Sequence, residues 1–301
     1  AGSLVGFLFP FIFTWIGISN IAPQGVVPDS VIYSFYIGAA ILILCVIYTT
    51  VKVKEMPPAE YAEYHGITEE EKKEKINMVK LLVKAPKAFW TVGLVQFFCW
   101  FAFMFMWTYT NGSVAANVFD APTVETVVNG ASKIVLDTKS IQYQNAADWV
   151  GVLFAVQAIG SVLWAVCIPM FKNRKLIYSL SLVLGGIGFI STYFVHNQYV
   201  LFISFLLIGC AWAAMLALPF TILTNALSGG HMGTYLGLFN GTICIPQIVA
   251  ATLGGSILAL FTPKGMLPPE INMLVMAGVM LIIGAVCVYL IKETKGEQAK
   301  A

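Results

Sequence analysis

The sequence predicts an all-α polytopic membrane protein, and three observations carry that prediction. All 17 basic and 15 acidic residues fall outside eight long apolar stretches. Most of those stretches reach the ~20 residues that a helix needs to cross ~30 Å of hydrocarbon. The composition, 58% hydrophobic and 11% charged, stands far from the about 25% charged residues of a soluble domain. Lipid hydrates neither a charge nor an unpaired backbone group, so charges collect in the connections and each span closes its hydrogen bonds as a helix. A soluble enzyme or a nucleic-acid-binding domain is excluded, and a lipid bilayer is the expected surroundings.

The stretches are residues 4–18, 31–51, 88–110, 149–171, 176–195, 199–227, 232–261 and 271–291. The first is short, is interrupted by Pro10, and opens without a Met. It reads as the remainder of a span whose beginning is missing. It lacks the basic start and small-residue cleavage site of a signal peptide. The connections alternate in charge. Counting Lys and Arg, residues 52–87 hold eight, 172–175 three and the tail after Ile291 three, while 112–148 hold two and 262–270 one. Fourteen against three places loop 52–87 and the C-terminus in the cytoplasm by the positive-inside rule.

Loop 52–87 is the long exception among short turns. Pro57-Pro58 opens it, and Thr68 with Glu71 reads as a capping box. Glu69/Lys73 and Glu71/Lys75 then make i,i+4 pairs, so a solvated helix is expected there. Val79, Leu82 and Val83, flanked by Lys80, Lys84 and Lys87, suit a short helix lying at the membrane surface. Two spans precede this tether and six follow it. Residues 1–51, 52–87 and 88–301 are therefore expected to be two spans of one bundle, a linker, and a complete six-helix bundle.

Several motifs then appear in order. Val95-Gln-Phe-Phe-Cys-Trp-Phe-Ala102 with Met106-Trp-Thr-Tyr109, Trp212-Ala-Ala-Met-Leu-Ala-Leu-Pro219, Gly233-Thr-Tyr-Leu-Gly-Leu-Phe-Asn240 and Ile245-Pro-Gln-Ile248 stand inside spans. Val27-Pro-Asp-Ser-Val-Ile-Tyr-Ser34 and Ala85-Pro-Lys-Ala-Phe-Trp90 stand at span starts. Together they resemble the sucrose- and maltose-type sugar:proton symporters of the glycoside–pentoside–hexuronide:cation branch of the major facilitator superfamily. The resemblance implies a partial major facilitator fold, eight of twelve transmembrane helices, beginning in the fifth span. It also implies a bacterial inner-membrane carrier that moves an α-glucoside such as maltose or sucrose with protons, by two halves rocking about a site between them. The missing N-terminal spans of the same protein would be its partner. Phe171-Lys-Asn-Arg-Lys175 departs from the superfamily's usual turn, keeping the positive charge without the acid or the glycine.

The candidate solute-binding residues follow from side-chain chemistry. Gln96, Trp100, Phe103, Trp107 and Asn111 recur at three or four residues and share one helix face. A sugar wants aromatic faces against its C–H surfaces and amides to exchange hydrogen bonds with its hydroxyls. The alternative is an interfacial belt position for Trp107 and a lipid-facing Phe103. Gln157, Trp212, Asn240 and Gln247 are further candidates; for the amides the competing role is interhelical glue. Gly233, Gly237 and Gly241 repeat every four residues, which suits close approach of another helix. Pro246 leaves the carbonyl of Thr242 without its helical donor, an arrangement unsuited to lipid.

Absences complete the pattern. No nucleotide loop, metal-ligand spacing or nucleophile motif is present, so neither a cofactor nor a metal is expected, and an enzyme is not. Cys45, Cys99, Cys167, Cys210, Cys244 and Cys287 fall one per span and read as small core residues. His65, His196 and His231 fall in loops or at span ends. None of the eight stretches contains an ionisable acid or base, and Asp148 stands only at a mouth. The resemblance places an acid in span four and a base near the start of span five, outside these residues. A cation-coupled or efflux carrier for another small solute is the alternative on the same fold, and a multi-pass enzyme or receptor the alternative from another class.

Overall fold

The computed structural model describes residues 2–20, 26–54, 56–57, 60, 64, 78–128, 131–227 and 232–291. Two helices come first, α1 (Gly2–Trp15) and α2 (Asp29–Lys52), then the short α3 (Met78–Val83). The bundle consists of α4 (Lys87–Asn117), α5 (Ile141–Cys167), α6 (Arg174–Ser191), α7 (Leu201–Ala226), α8 (Met232–Phe239) continuing as α9 (Gly241–Phe261), and α10 (Ile271–Cys287). Among the described residues seven helices, with α8 and α9 taken as one, are long and apolar enough to cross a membrane; α1 is a shorter apolar helix. The molecule is thus a multi-pass helical membrane protein, as its charge pattern predicts.

Local chemistry sets the helix ends. Gly17, at φ 94°, closes α1 with Ile18 N–H donating to Phe13 O at 2.9 Å and Gly17 N–H to Thr14 O at 3.0 Å. That left-handed reversal suits glycine, which has no Cβ to clash. Asp29 and Lys52 stand in the first and last turns of α2, each complementing the helix dipole. Ser140 caps α5 by accepting from Tyr143 N–H at 3.3 Å, and Asn173 caps α6 by accepting from Leu176 N–H at 3.1 Å.

Two helices overrun their apolar stretches. The stretch 88–110 becomes a helix to Asn117, and 149–171 begins at Ile141. Thr110 and Ser113 donate their hydroxyls to the carbonyls of Met106 and Tyr109, and Asn117 its amide to that of Ser113. Polar side chains that satisfy themselves on the previous turn extend a helix past the point where hydropathy stops. One consequence is that Asp148 lies within a helix.

The all-α expectation omits a two-stranded antiparallel sheet between α4 and α5. Strand β1 (Thr123–Val128) pairs with β2 (Ala131–Leu136) in the register Thr123↔Leu136 to Val128↔Ala131. The signal stands in the sequence: β-branched runs flank Asn129-Gly130, the favoured dipeptide of a two-residue hairpin turn. The expected helix around Thr68–Lys75 lies outside the described residues. Beyond it α3 is present, tied to the bundle by Tyr235 O–H donating to Leu81 O at 3.2 Å.

Within the bundle α4 is the hub, packing on α10, α9, α7 and α5, while α7 joins α5 to α6 and α6 joins α10. Phe103, Phe105, Met106, Phe189 and Phe205 are fully enclosed there. Glycines bring the backbones together. A Cβ at Gly186 would lie 2.9 Å from Gly278 O, and one at Gly278 would lie 2.7 Å from Gly186 O. Gly209 meets the backbone of α5 at Ser161 and Gly160 in the same way. In lipid such close packing and interhelical hydrogen bonds hold helices together, because hydrocarbon is as apolar as leucine. Hydrogen bonds tie α6 to three neighbours: Trp164 Nε1–H of α5 to Ser181 Oγ at 2.8 Å, Ser191 with Ser204 of α7 at 2.8 Å, and Ser179 O–H to Ala285 O of α10 at 3.0 Å.

The glycine repeat singled out in the sequence lies elsewhere. A Cβ at Gly233 or Gly237 would meet nothing within 4 Å, and one at Gly241 only Ile245 Cδ1 at 3.9 Å. Periodicity shows which residues share a face; it does not show which face another helix takes. The cysteines divide likewise. Cys99 and Cys210 are buried, but Cys45 and Cys244 are exposed and so are not core residues.

Outward-facing apolar side chains wrap the bundle, so its two ends are its polar faces. The linker end holds the starts of α4, α6 and α8 and the end of α10. The hairpin end holds the sheet, the start of α5 and the connection 262–270.

Candidate functional site

The predicted face of α4 runs from core to surface. Gln96 and Phe103 are fully buried, Trp100 is 7% exposed, Asn111 is half-buried and Trp107 is 38% exposed. Phe103 is enclosed by protein and therefore does not face lipid. From α7, Trp212 comes against this face. The ring centroids of Trp100, Trp107 and Trp212 stand 5.8–6.4 Å apart, and Phe103 lies 4.9 Å from Trp212. Three of the sequence candidates, from two helices, thus form one aromatic cluster. Its edge-on and tilted contacts are those that ring quadrupoles favour.

The amides frame that cluster. Gln96 donates its Nε2–H to Met215 O of α7 at 3.2 Å, while its buried Oε1 has no partner among the described residues. The buried indole N–H of Trp100 likewise has no acceptor among them. Asn111 donates its Nδ2–H to the Tyr143 hydroxyl of α5 at 2.9 Å, and its buried Oδ1 has no partner among the described residues. Buried polar atoms are normally satisfied, and each one left open costs about 1–3 kcal/mol. Along this face one donor and two acceptors are therefore buried and unpaired among the described residues, beside three indole rings.

The other candidates are not gathered with this face. Gln157 is buried on α5, where its carbonyl meets Gly209 of α7. Asn240 is exposed at the break between α8 and α9, and Gln247 is half-buried about two turns beyond. The span bends at Asn240, six residues before buried Pro246, although the proline removes a donor in its own turn.

Two residues escaped the sequence analysis. Tyr143 was assigned to a loop; Ser140, a favoured N-cap residue three positions earlier, is the signal that its helix had already begun. Glu270, at the start of α10, was counted as a loop acid. It is half-buried, and its carboxyl lies over Gly112 of α4, where a Cβ would overlap it. Burial raises its pKa from an ordinary 4.5 to about 7. At the same end, Asn20 donates its Nδ2–H to Asp148 Oδ2 at 2.7 Å and joins the α1–α2 connection to α5.

Comparison with known proteins gives one positive result. Residues 123–301 match the family model described as Major Facilitator Superfamily. No curated protein and no solved structure matches the chain.

Proposed function

The chain belongs to the Major Facilitator Superfamily, which makes it a secondary transporter of small solutes, and from that premise we propose that it moves a sugar, an α-glucoside such as maltose or sucrose, coupled to protons. The observation that carries the proposal is the Trp100–Trp107–Trp212 cluster with Gln96 Oε1, Trp100 Nε1–H and Asn111 Oδ1 buried and unpaired on the same helix face, groups that a solute would satisfy once the two halves part. A sugar ring presents C–H faces to indoles and hydroxyls to amides, and it carries no charge that would need an ionic partner. The three units 1–51, 52–87 and 88–301 are taken as two spans of one half, a tether, and the other half. Asn240 and Gln247 would serve the same solute from α9.

In the sequence, 52–87, 172–175 and the tail after Ile291 hold fourteen of the seventeen basic residues, which supports a cytoplasmic linker and C-terminus in a bacterial inner membrane. Lys54→Cys and Lys172→Cys should resist a membrane-impermeant maleimide added to intact cells, and Lys133→Cys should react. The reverse pattern contradicts the orientation.

For the solute, Gln96→Ala and Trp100→Ala in the intact carrier should each raise the half-saturating sugar concentration about tenfold. That corresponds to the ~1–2 kcal/mol of one buried hydrogen bond or aromatic contact. Neither residue titrates, so the pH profile of uptake should keep its shape. Normal uptake by both variants at limiting sugar contradicts the site.

A further inference from the structure

Glu270 is placed in a way that neither helix packing nor helix capping explains. Pro268 and Pro269 precede it, and its N–H donates to Pro268 O at 2.9 Å, so its backbone is fixed at the start of α10. A carboxylate at a helix N-terminus ordinarily gains by accepting from the first-turn N–H groups. Glu270 makes no such cap. Its carboxyl turns across to α4 and fills the space that Gly112 leaves open; a methyl group at position 112 would overlap both carboxyl oxygens. A side chain at 112 would therefore displace the carboxyl from this seat.

The surroundings of the notch are neutral. Tyr109 from α4 and Tyr143 from α5 are the titratable groups near enough to interact electrostatically with the carboxyl. At this end α6 and α9, the other helices against α10, contribute no acid or base. Asp148 on α5 is engaged by Asn20, and His196, in the α6–α7 connection, stands 3.3 Å from Phe194 O. Lys264, in the connection before α10, forms no ion pair with Glu270 among the described residues. A carboxylate here would be partly removed from water with no cation and no helix-cap donor among the described residues, whereas a carboxylic acid is neutral.

We propose that Glu270 is a proton-binding site of the transporter, its carboxyl seated in the Gly112 notch and exchanging its proton with the solution at the hairpin end. The proton passes from that solution to a carboxyl oxygen and returns to it, so nothing else is consumed. Protonation favours the seated position, and deprotonation favours rotation of the carboxylate out of the notch toward water, which loosens α10 from α4. The cost of charging a buried acid without a partner is the driving force. The raised pKa, about 7, agrees with this placement. The site is independent of which solute is carried.

Infrared titration of the carboxyl stretch, on the whole protein in lipid nanodiscs without sugar, tests it. The wild type should show one carboxyl changing state near neutral pH, and Glu270→Gln should lose that transition. Glu270→Asp, one methylene short of the notch, and Gly112→Ala, which fills it, should each move the transition toward the ordinary carboxylate range. If Glu270→Gln keeps the wild-type transition, or if Glu270 itself titrates in the ordinary range, the proposal fails. Failure of sugar uptake in any variant does not enter the test.

Discussion

Helices α2 and α7 have the same mean hydropathy, yet only 6% of the apolar window of α2 is buried in the protein, against 61% of that of α7. Hydropathy states that a segment leaves water. It does not state whether lipid or protein receives it. The distinction lies in the small residues: Ser204, Gly209 and Ala211 of α7 come close to Gly188, Gly160 and Gly185 of neighbouring helices, while Gly38 on α2 has nothing within 4 Å. Helix α1 is intermediate. Its Phe7 ring lies 5.2 Å from Phe154 of α5, and a Cβ at Gly151 would stand 3.1 Å from Phe7 O. The first two helices are therefore attached to the bundle through α1, and α2 buries only Ser30.

Substitution at matched glycines gives the largest contrast. Gly209→Leu forces a side chain into the α5 backbone and should destabilise the bundle by about 3 kcal/mol or prevent its assembly, whereas Gly38→Leu should leave it unchanged. Thermal unfolding in detergent measures both, and equal effects would erase the distinction between the two helices.

The pH dependence of stability should reside in the bundle. Glu270 has a folded pKa of about 7 against an ordinary 4.5, so between those values the folded state holds a proton that the unfolded state releases. Stability should then fall as pH rises through that window, by on the order of 2–3 kcal/mol, and level off above it. Glu270→Gln should abolish that slope. A flat wild-type profile, or an unchanged slope in the variant, contradicts the assignment.

A smaller effect is expected where the two regions meet. Asn20→Ala removes the bond to Asp148 and should cost about 1–2 kcal/mol of attachment. Hydrogen exchange should quicken in residues 5–18 while α4 stays protected. The smallest effect belongs to Tyr235→Phe, which frees Leu81 O and should change melting by less than about 1 kcal/mol, with faster proteolysis near α3.

The spans were legible in the sequence because exclusion of charge from lipid is absolute enough to mark each one. The helix ends were less so: Thr110, Ser113 and Asn117 are polar by composition but self-satisfied by geometry. The face of α4 was legible because 3.6-residue periodicity depends on one helix alone. The arrival of Trp212 on that face was not legible, since it depends on how α7 crosses α4. The seat of Glu270 was hidden for the same reason. Gly112 and Glu270 are distant in sequence, and only tertiary packing turns a glycine on one helix into a notch for an acid on another.

The central claim is that the Trp100–Trp107–Trp212 face receives the solute, and tryptophan fluorescence reads that face directly. Titration of the purified protein with maltose or sucrose should give a saturable emission change. Trp100→Phe and Trp212→Phe should each diminish it, and Trp90→Phe, on the exposed linker end of α4, should leave it intact. No change with either sugar, or a full change that survives loss of both Trp100 and Trp212, would place the solute elsewhere.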